Sequence, residues 1–419
     1  MSRKSRGITV LPQTNMRRIN IERRKPGTDQ RHGVTSDKPR RDVSARIALP
    51  HSHRREWSLV PSLVTIAVFT FFGPSWLVDL TDPLWLALML SWLFTVILLS
   101  TFAVVRHAEH LAMKLGEPVG TLVLTLAVTG IEVMMISAVM LSGKGNASLA
   151  RDAMFAVIMI VLNGMVGCSL LLGGLRYHEQ TYNLQGANAF LAVIVPLTVL
   201  GLVLPNFTLS SPGPTFSRLQ AAFLALMSIA LYGVFLAIQH SRHRDYFIEP
   251  HAVEILENTA RRDLVADEQR SVTYHALLLG ANLLPVLLLA KQIALPINYA
   301  IHELHAPSAL GGLLVSVLVL SPESLGAARA ALANQLQRSV NLLLGSVLAS
   351  ISLTIPAILA IGFMTSRTIV LGLDAVDMTL LLLTLGVSTL TFASARTNVL
   401  LGAVHLLLFL AYFMLIFEK

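Results

Sequence analysis

Residues 120–132 read GTLVLTLAVTGIE, and residues 311–323 read GGLLVSVLVLSPE. The two stretches align without a gap, so that Gly120 meets Gly311, Thr125 meets Ser316 and Glu132 meets Glu323. Each opens on a small residue and sets one carboxylate twelve positions later in otherwise apolar sequence. A charged side chain in mid-bilayer costs about 2.5–3.5 kcal/mol on insertion scales, so it is retained where it faces a cavity or a partner. The match runs on more weakly into the following segment. With a connection four residues shorter in the second copy, Arg151 meets Arg338 and Asn163 meets Ser350. Internal symmetry of this kind is characteristic of transporters assembled from repeated halves.

Working outward, apolar runs long enough to cross a bilayer recur along the chain. They fall at roughly 58–79, 83–105, 117–141, 152–175, 187–205, 217–239, 273–294, 307–330, 339–363, 369–393 and 397–417. The expected fold class is an all-α membrane protein of about eleven transmembrane helices. The two matched stretches lie in the third and eighth spans. They are five spans apart in order, and an odd offset makes the repeat inverted, the arrangement that lets a central site face either side in turn.

Composition agrees. Hydrophobic residues make up 54% of the 419 and charged residues only 13%, where a soluble domain carries about 25% charged. Residues 1–56 hold 15 Lys and Arg against 5 Asp and Glu, while the remaining residues sum to a net −2. This basic stretch lacks an apolar period and reads as a disordered cytoplasmic tail beside anionic headgroups, not as a nucleic-acid-binding arm. Basic residues gather in connections on the tail's side, among them Arg106, Lys114, Arg176, Arg242, Arg338 and Arg396, which puts the N-terminus in the cytoplasm. The first apolar run starts near residue 57, too late for a cleavable signal peptide. The lone Cys168 sits in an apolar run and is expected to be a small packing residue.

Around the two glutamates the sequence supplies oxygen ligands. Helical spacing puts Thr125, Thr129 and Glu132 on one face, and Ser316 with Glu323 on another. Gly130 and Pro322 stand beside the acids, and a helix break there would free carbonyl oxygens. Asn163, Ser346 and Ser350 in the adjoining spans are candidates to complete the shell. Such a set suits a hard cation such as calcium or sodium, and not zinc or copper. Alternating access over carboxylates that hold either a proton or a cation gives antiport. A passive channel is the rival, and it would conduct without proton coupling. No enzyme is expected, because the spans show no His-Glu-x-x-His, no Gly-x-Ser-x-Gly and no paired intramembrane aspartates. No resident cofactor is expected either, the partners being inorganic cations, protons and the lipid bilayer.

Other polar residues have plainer roles. Glu117, Asp374 and Asp377 fit helix N-termini. His302, Glu303 and His305 fall in a loop, and His405 in the last span reads as a packing or hydrogen-bonding group. The acids of the 241–272 connection, including Glu249, Glu254, Glu257, Asp263, Asp267 and Glu268, read as a solvated linker helix.

The stretch GEPVGTLVLTLAVTGIEVMMISAVML (116–141) and the stretch NLQGANAFLAVIVPLTVLGLVLPNFT (183–208) resemble bacterial ChaA-type calcium/proton antiporters of the cation/calcium exchanger superfamily. Residues 216–247 and 396–412 are similar to the sixth and last spans of vacuolar-type calcium/proton exchangers. The resemblance covers roughly 58–417. It implies two inverted five-helix repeats plus one N-terminal helix. In those terms 57–105 holds the N-terminal helix and the first helix of repeat 1, 106–240 the rest of repeat 1, 241–272 a cytoplasmic linker and 273–419 repeat 2. The resemblance also implies a bacterial inner membrane and exchange of cytoplasmic cation for external protons at Glu132 and Glu323. The wider family writes its motifs Gly-Asn-Ala-Thr-Glu and Gly-Asn-Ala-Ala-Glu-His. Here Val128-Thr129-Gly130-Ile131 and Val319-Leu320-Ser321-Pro322 precede the acids, and Ser324 replaces the histidine. Without the two asparagines, a predominantly sodium or potassium exchanger serving alkaline pH and salt tolerance stands beside the calcium reading.

Overall fold

The computed structural model describes residues 57–116, 119–142, 147–242, 244–247 and 271–418. The basic tail, Glu117, Lys144 and the linker acids Glu249 to Glu268 lie outside the described residues. Among the described residues the chain is an all-helical membrane protein. After α1 (Leu59–Phe71) and a single helical turn at Gly73–Trp76 come α2 (Pro83–Leu115), α3 (Val119–Leu141), α4 (Leu149–Tyr177), α5 (Leu184–Phe207) and α6 (Arg218–His240). Then follow α7 (Val272–His302), α8 (Ser308–Leu332), α9 (Leu336–Thr365), α10 (Ala375–Thr391) and α11 (Val399–Phe417). Nine of these are long and apolar enough to cross a membrane, and α1 and α10 are shorter apolar helices.

The repeat is visible in how the helices begin. Asp82 caps α2 and Ser271 caps α7; Asn183 caps α5 and Asp374 caps α10; Ser217 caps α6 and Asn398 caps α11. Each side chain accepts a backbone N–H of the first turn, an arrangement worth about 1 kcal/mol per helix. Helices α2–α6 thus correspond in order to α7–α11. The packing corresponds too. α8 lies along the first half of α4 and α3 against the wide turn of α9, while α4 packs on α11 and α9 on α6.

Glycines set the closest approaches. A Cβ on Gly167 would meet the Leu406 backbone N at 2.9 Å, and one on Gly402 would meet the Leu171 backbone N at 2.6 Å, so α4 and α11 touch backbone to backbone. A Cβ on Gly312 would meet the Ala153 backbone N at 2.7 Å, which seats α8 on α4. Small residues at such crossings are how helices associate where lipid supplies no hydrophobic drive.

The structure corrects three expectations. The second span does not end at residue 105. α2 runs to Leu115, because Val104, Val105, Ala108 and Leu111 continue its buried stripe through the polar residues, so the 105/106 boundary falls inside one helix. The helices do not break beside the glutamates. α3 passes through Gly130 and α8 through Pro322 without interruption. The irregular turns lie in the next helices instead, as π-helical segments at Met159–Met165 in α4 and Ser350–Thr354 in α9. Finally, Cys168 is exposed on α4 and is not a packing residue, since it is turned about 100° around the helix from the Gly167 contact.

We call the face carrying the α2–α3, α4–α5, α6–α7, α8–α9 and α10–α11 connections the inner face. On it, the two-residue strands Gln180–Thr181 and Arg396–Thr397 pair antiparallel. The Gln180 side chain donates to the Ala331 carbonyl at 2.9 Å, and Tyr177 Oη to the Leu332 carbonyl at 2.8 Å. These bonds tie the three inner connections between α4 and α5, α8 and α9, and α10 and α11.

Candidate cation site

Glu132 lies near the middle of α3 and is 1% exposed. Ser350 Oγ donates to its Oε2 at 2.6 Å, while Oε1 has no hydrogen-bond partner. Ser350 opens the π-helical segment of α9, the kind of wide turn that often marks a functional site. Thr354, at the end of that segment, sets a second hydroxyl beside the carboxyl but outside hydrogen-bonding geometry.

Glu323, on α8, has one buried oxygen without a partner. It lines a cavity of about 160 Å³ together with Thr129, Ser346 and Ser350. Glu132 stands behind the Ser350 wall of this cavity, close enough for its charge to act on Glu323. The other polar residues of the cavity show its direction. Thr121 is in the first turn of α3, Gln239 at the end of α6, Asn341 in the second turn of α9, and Glu109 in the last turns of α2. All four sit at inner ends, so the cavity opens toward the inner face.

The opposite face is closed by polar contacts. Arg151 pairs with Asp152 at 2.8 Å and donates to the Gly372 carbonyl at 3.2 Å. Ser148 and Ser308 donate to the same aspartate at 3.1 and 2.9 Å. Asn298 Nδ2 donates to the Val139 and Ser142 carbonyls, each at 3.3 Å, pinning α7 to the end of α3.

The structure therefore brings together Glu132, Glu323, Thr129, Ser346 and Ser350 of the residues expected from sequence. It does not bring Asn163 to them. The Asn163 amide donates to Thr384 Oγ1 at 2.9 Å and its carbonyl oxygen meets His405 Nδ1 at 3.2 Å, with Thr391 on the other ring nitrogen at 3.0 Å. That network joins α4 to α10 and α11. Ser316 bonds the Ala153 carbonyl and its own helix, away from the cavity. Asp374 is a helix cap, accepting from the Asp377 N–H at 2.9 Å, as the sequence led us to expect. His302, Glu303 and His305 are exposed at the end of α7 and do not line the cavity. Sequence reasoning missed Glu109, Tyr232 and Gln239. For Glu109 the signal was available, since the apolar period of α2 continues past it.

Comparison with known proteins bears on what such a site does. Residues 85–240 match the family described as sodium/calcium exchanger protein. The chain is 44% identical over 317 residues to the putative ionic transporter y4hA of Sinorhizobium fredii (strain NBRC 101917 / NGR234), spanning 75% of this chain and 85% of that protein. It is 40% identical over 366 residues to the sodium-potassium/proton antiporter ChaA of Escherichia coli (strain K12), spanning 87% of this chain and 97% of that one. The chain belongs to the sodium/calcium exchanger family. Its exchanger fold is shared with the solved Ca2+/H+ antiporter protein YfkE, at a TM-score of 0.65 and 15% identity over 87% of this chain and all of that chain. In this exchanger the two glutamates hold matching places in the two repeats, yet only one of them borders the cavity.

Proposed function

We propose that this cation/proton antiporter carries hard cations and protons in turn on the Glu132 and Glu323 carboxylates, and that the cavity is its cytoplasmic entrance. The observation that carries the reading is the unequal condition of two repeat-related acids. Glu323 borders the open cavity, while Glu132 is shut behind Ser350. Inverted repeats that hold unequal conformations can exchange them, and the exchange turns the site from one side of the membrane to the other.

A carboxylate away from water is tolerated when it is neutralised, by a proton or by a cation. Either cargo therefore satisfies the pair, and the empty, ionised pair resists the transition. This is the condition for exchange rather than leak. The Lys and Arg distribution supports the inner face as cytoplasmic, with the N-terminus inside a bacterial inner membrane.

The cargo is a hard cation, sodium, potassium or calcium. Around the glutamates the cavity adds the hydroxyls of Thr129, Ser346 and Ser350. The Asn163 amide is held elsewhere, and the Asn341 amide is bonded to Gln337 and the Phe247 carbonyl. Calcium takes about six to eight oxygens, and two carboxylates with these hydroxyls come within that range, so the oxygen count admits calcium as well as a monovalent cargo. The E. coli relative, named as a sodium-potassium/proton antiporter, supports the monovalent choice.

Everted vesicles test the reading. Proton-coupled flux of sodium, potassium and calcium is measured ion by ion, and Glu132→Gln and Glu323→Gln each abolish it. Undiminished exchange in either variant overturns the assignment, and flux indifferent to the pH gradient favours a channel.

A further inference from the structure

Glu109 on α2 and Asn298 on α7 occupy one position of the two repeats. The caps Asp82 and Ser271 set a separation of 189 residues, and the burial pattern keeps it. Leu86, Leu93, Val96, Ile97, Val104 and Ala108 are buried in α2, as are His275, Asn282, Pro285, Val286, Ile293 and Ile297 in α7. At the next matched position the two differ, for Asn298 is buried and Glu109 is exposed to the cavity.

Asn298 closes the outer face by donating both contacts from one amide nitrogen to the Val139 and Ser142 carbonyls at the end of α3. The α3–α8 correspondence, set by Glu132 and Glu323, makes Ala330 and Ala333 at the end of α8 the equivalent positions. The Ala330 carbonyl already accepts from the Ala333 and Gln335 N–H groups at 3.1 and 2.9 Å, which makes Ala333 the equivalent acceptor. Glu109 faces open space instead and has no hydrogen-bond partner among the described residues. An ionised carboxylate only accepts, so it cannot make the bond that Asn298 makes; a protonated one has an O–H to give.

We infer that Glu109 is the latch of the inner face: with its proton it donates to the Ala333 carbonyl and the cavity shuts, and without it the cavity stands open. Glu109 is thus a positioning residue of the exchanger, separate from the pair that holds the cargo. The charged groups acting on it are Glu323 on α8 and Arg338 at the start of α9. From α7, His275 meets His107 and His110. From α6, His240 is bonded to Thr121. α3 offers only Glu132, behind Ser350, and α2 itself adds Arg106 and Lys114. A consequence is that an alkaline cytoplasm holds the entrance open to cations.

The inference rests on the alternating-access reading, and its test reads accessibility rather than transport. Cys168 is the single cysteine, so Cys168→Ser with Leu124→Cys places one thiol in the cavity wall. Its labelling by a membrane-impermeant maleimide from the inner face is timed in everted vesicles, comparing variants at one pH to remove the thiol's own titration. Glu109→Gln, which always donates, labels roughly tenfold more slowly at alkaline pH than Glu109→Ala, the scale of one or two net hydrogen bonds. The Glu109 protein follows Glu109→Ala at alkaline pH and moves toward Glu109→Gln at acid pH. Equal labelling of Glu109→Gln and Glu109→Ala, with both variants monodisperse on size exclusion, overturns the latch. Loss of the Glu132 and Glu323 assignment is seen separately, as exchange surviving in those variants.

Discussion

At the scale of single residues, the site depends on which polar groups are already engaged. Ser350 is a single hydroxyl, yet it is the hydrogen-bond donor to Glu132 and a wall of the cavity at once. A hydrogen bond to a charged group is worth about 1.5–3 kcal/mol. Ser350→Ala is therefore expected to weaken apparent cation affinity by roughly 10-fold or more, measured as the half-saturating concentration in vesicles, while Ser350→Thr retains most of it. The glutamates were legible from sequence because a lone carboxylate in an apolar run has few explanations and two in register have fewer. The fate of Asn163 was not legible. Spacing places it on a helix one span away, but only packing reveals that Thr384 and His405 engage it first. Glu109 was hidden for the opposite reason. Neighbouring Arg106, His107, His110 and Lys114 made its segment look like a loop, although the buried stripe of α2 ran straight through.

At the scale of elements, existence was easy to read and local geometry was not. Each of the eleven apolar runs contains a helix, and in nine it is long enough to span a bilayer, the length constraint that makes such runs legible. The irregular turns were misplaced. A proline in sequence marks a missing N–H, but neighbouring packing can hold the helix through it, as α8 does through Pro322. No signal so local marks the π-helical segment at Ser350–Thr354. Two outcomes follow. Pro322→Ala restores a backbone donor to a helix that already runs uninterrupted through this position, so it should raise the thermal unfolding temperature in detergent with exchange preserved. Gly402→Leu should do the reverse. Its side chain has no room against the Leu171 backbone N, 2.6 Å from where a Cβ would stand, so α11 separates from α4 and the protein is lost from the monodisperse fraction on size exclusion.

At the scale of the molecule, two faces are held by different means. The inner connections are tied through Gln180 and Tyr177 around an open cavity, and the outer side is drawn together at Asp152. Asp152 is 4% exposed and shares Arg151 with the Gly372 carbonyl. Removing one partner of a buried pair costs about 3–5 kcal/mol. Arg151→Leu should thus loosen the outer closure, so that a thiol placed at Ser308 labels faster from outside than in the parent.

The pairing of two carboxylates has one more outcome, for how the membrane voltage acts on the cycle. On the proposed reading, Glu132 and Glu323 together hold two protons, two monovalent ions or one divalent ion, and each filled state brings the pair to zero net charge. Moving one elementary charge through the field is worth about 2.3 kcal/mol per 100 mV, and a neutral loaded site feels none of it. Exchange should then run on concentration gradients alone. In proteoliposomes whose potential is set by a gradient of a permeant anion such as thiocyanate, the rate of sodium-for-proton exchange should stay the same when the imposed potential is reversed.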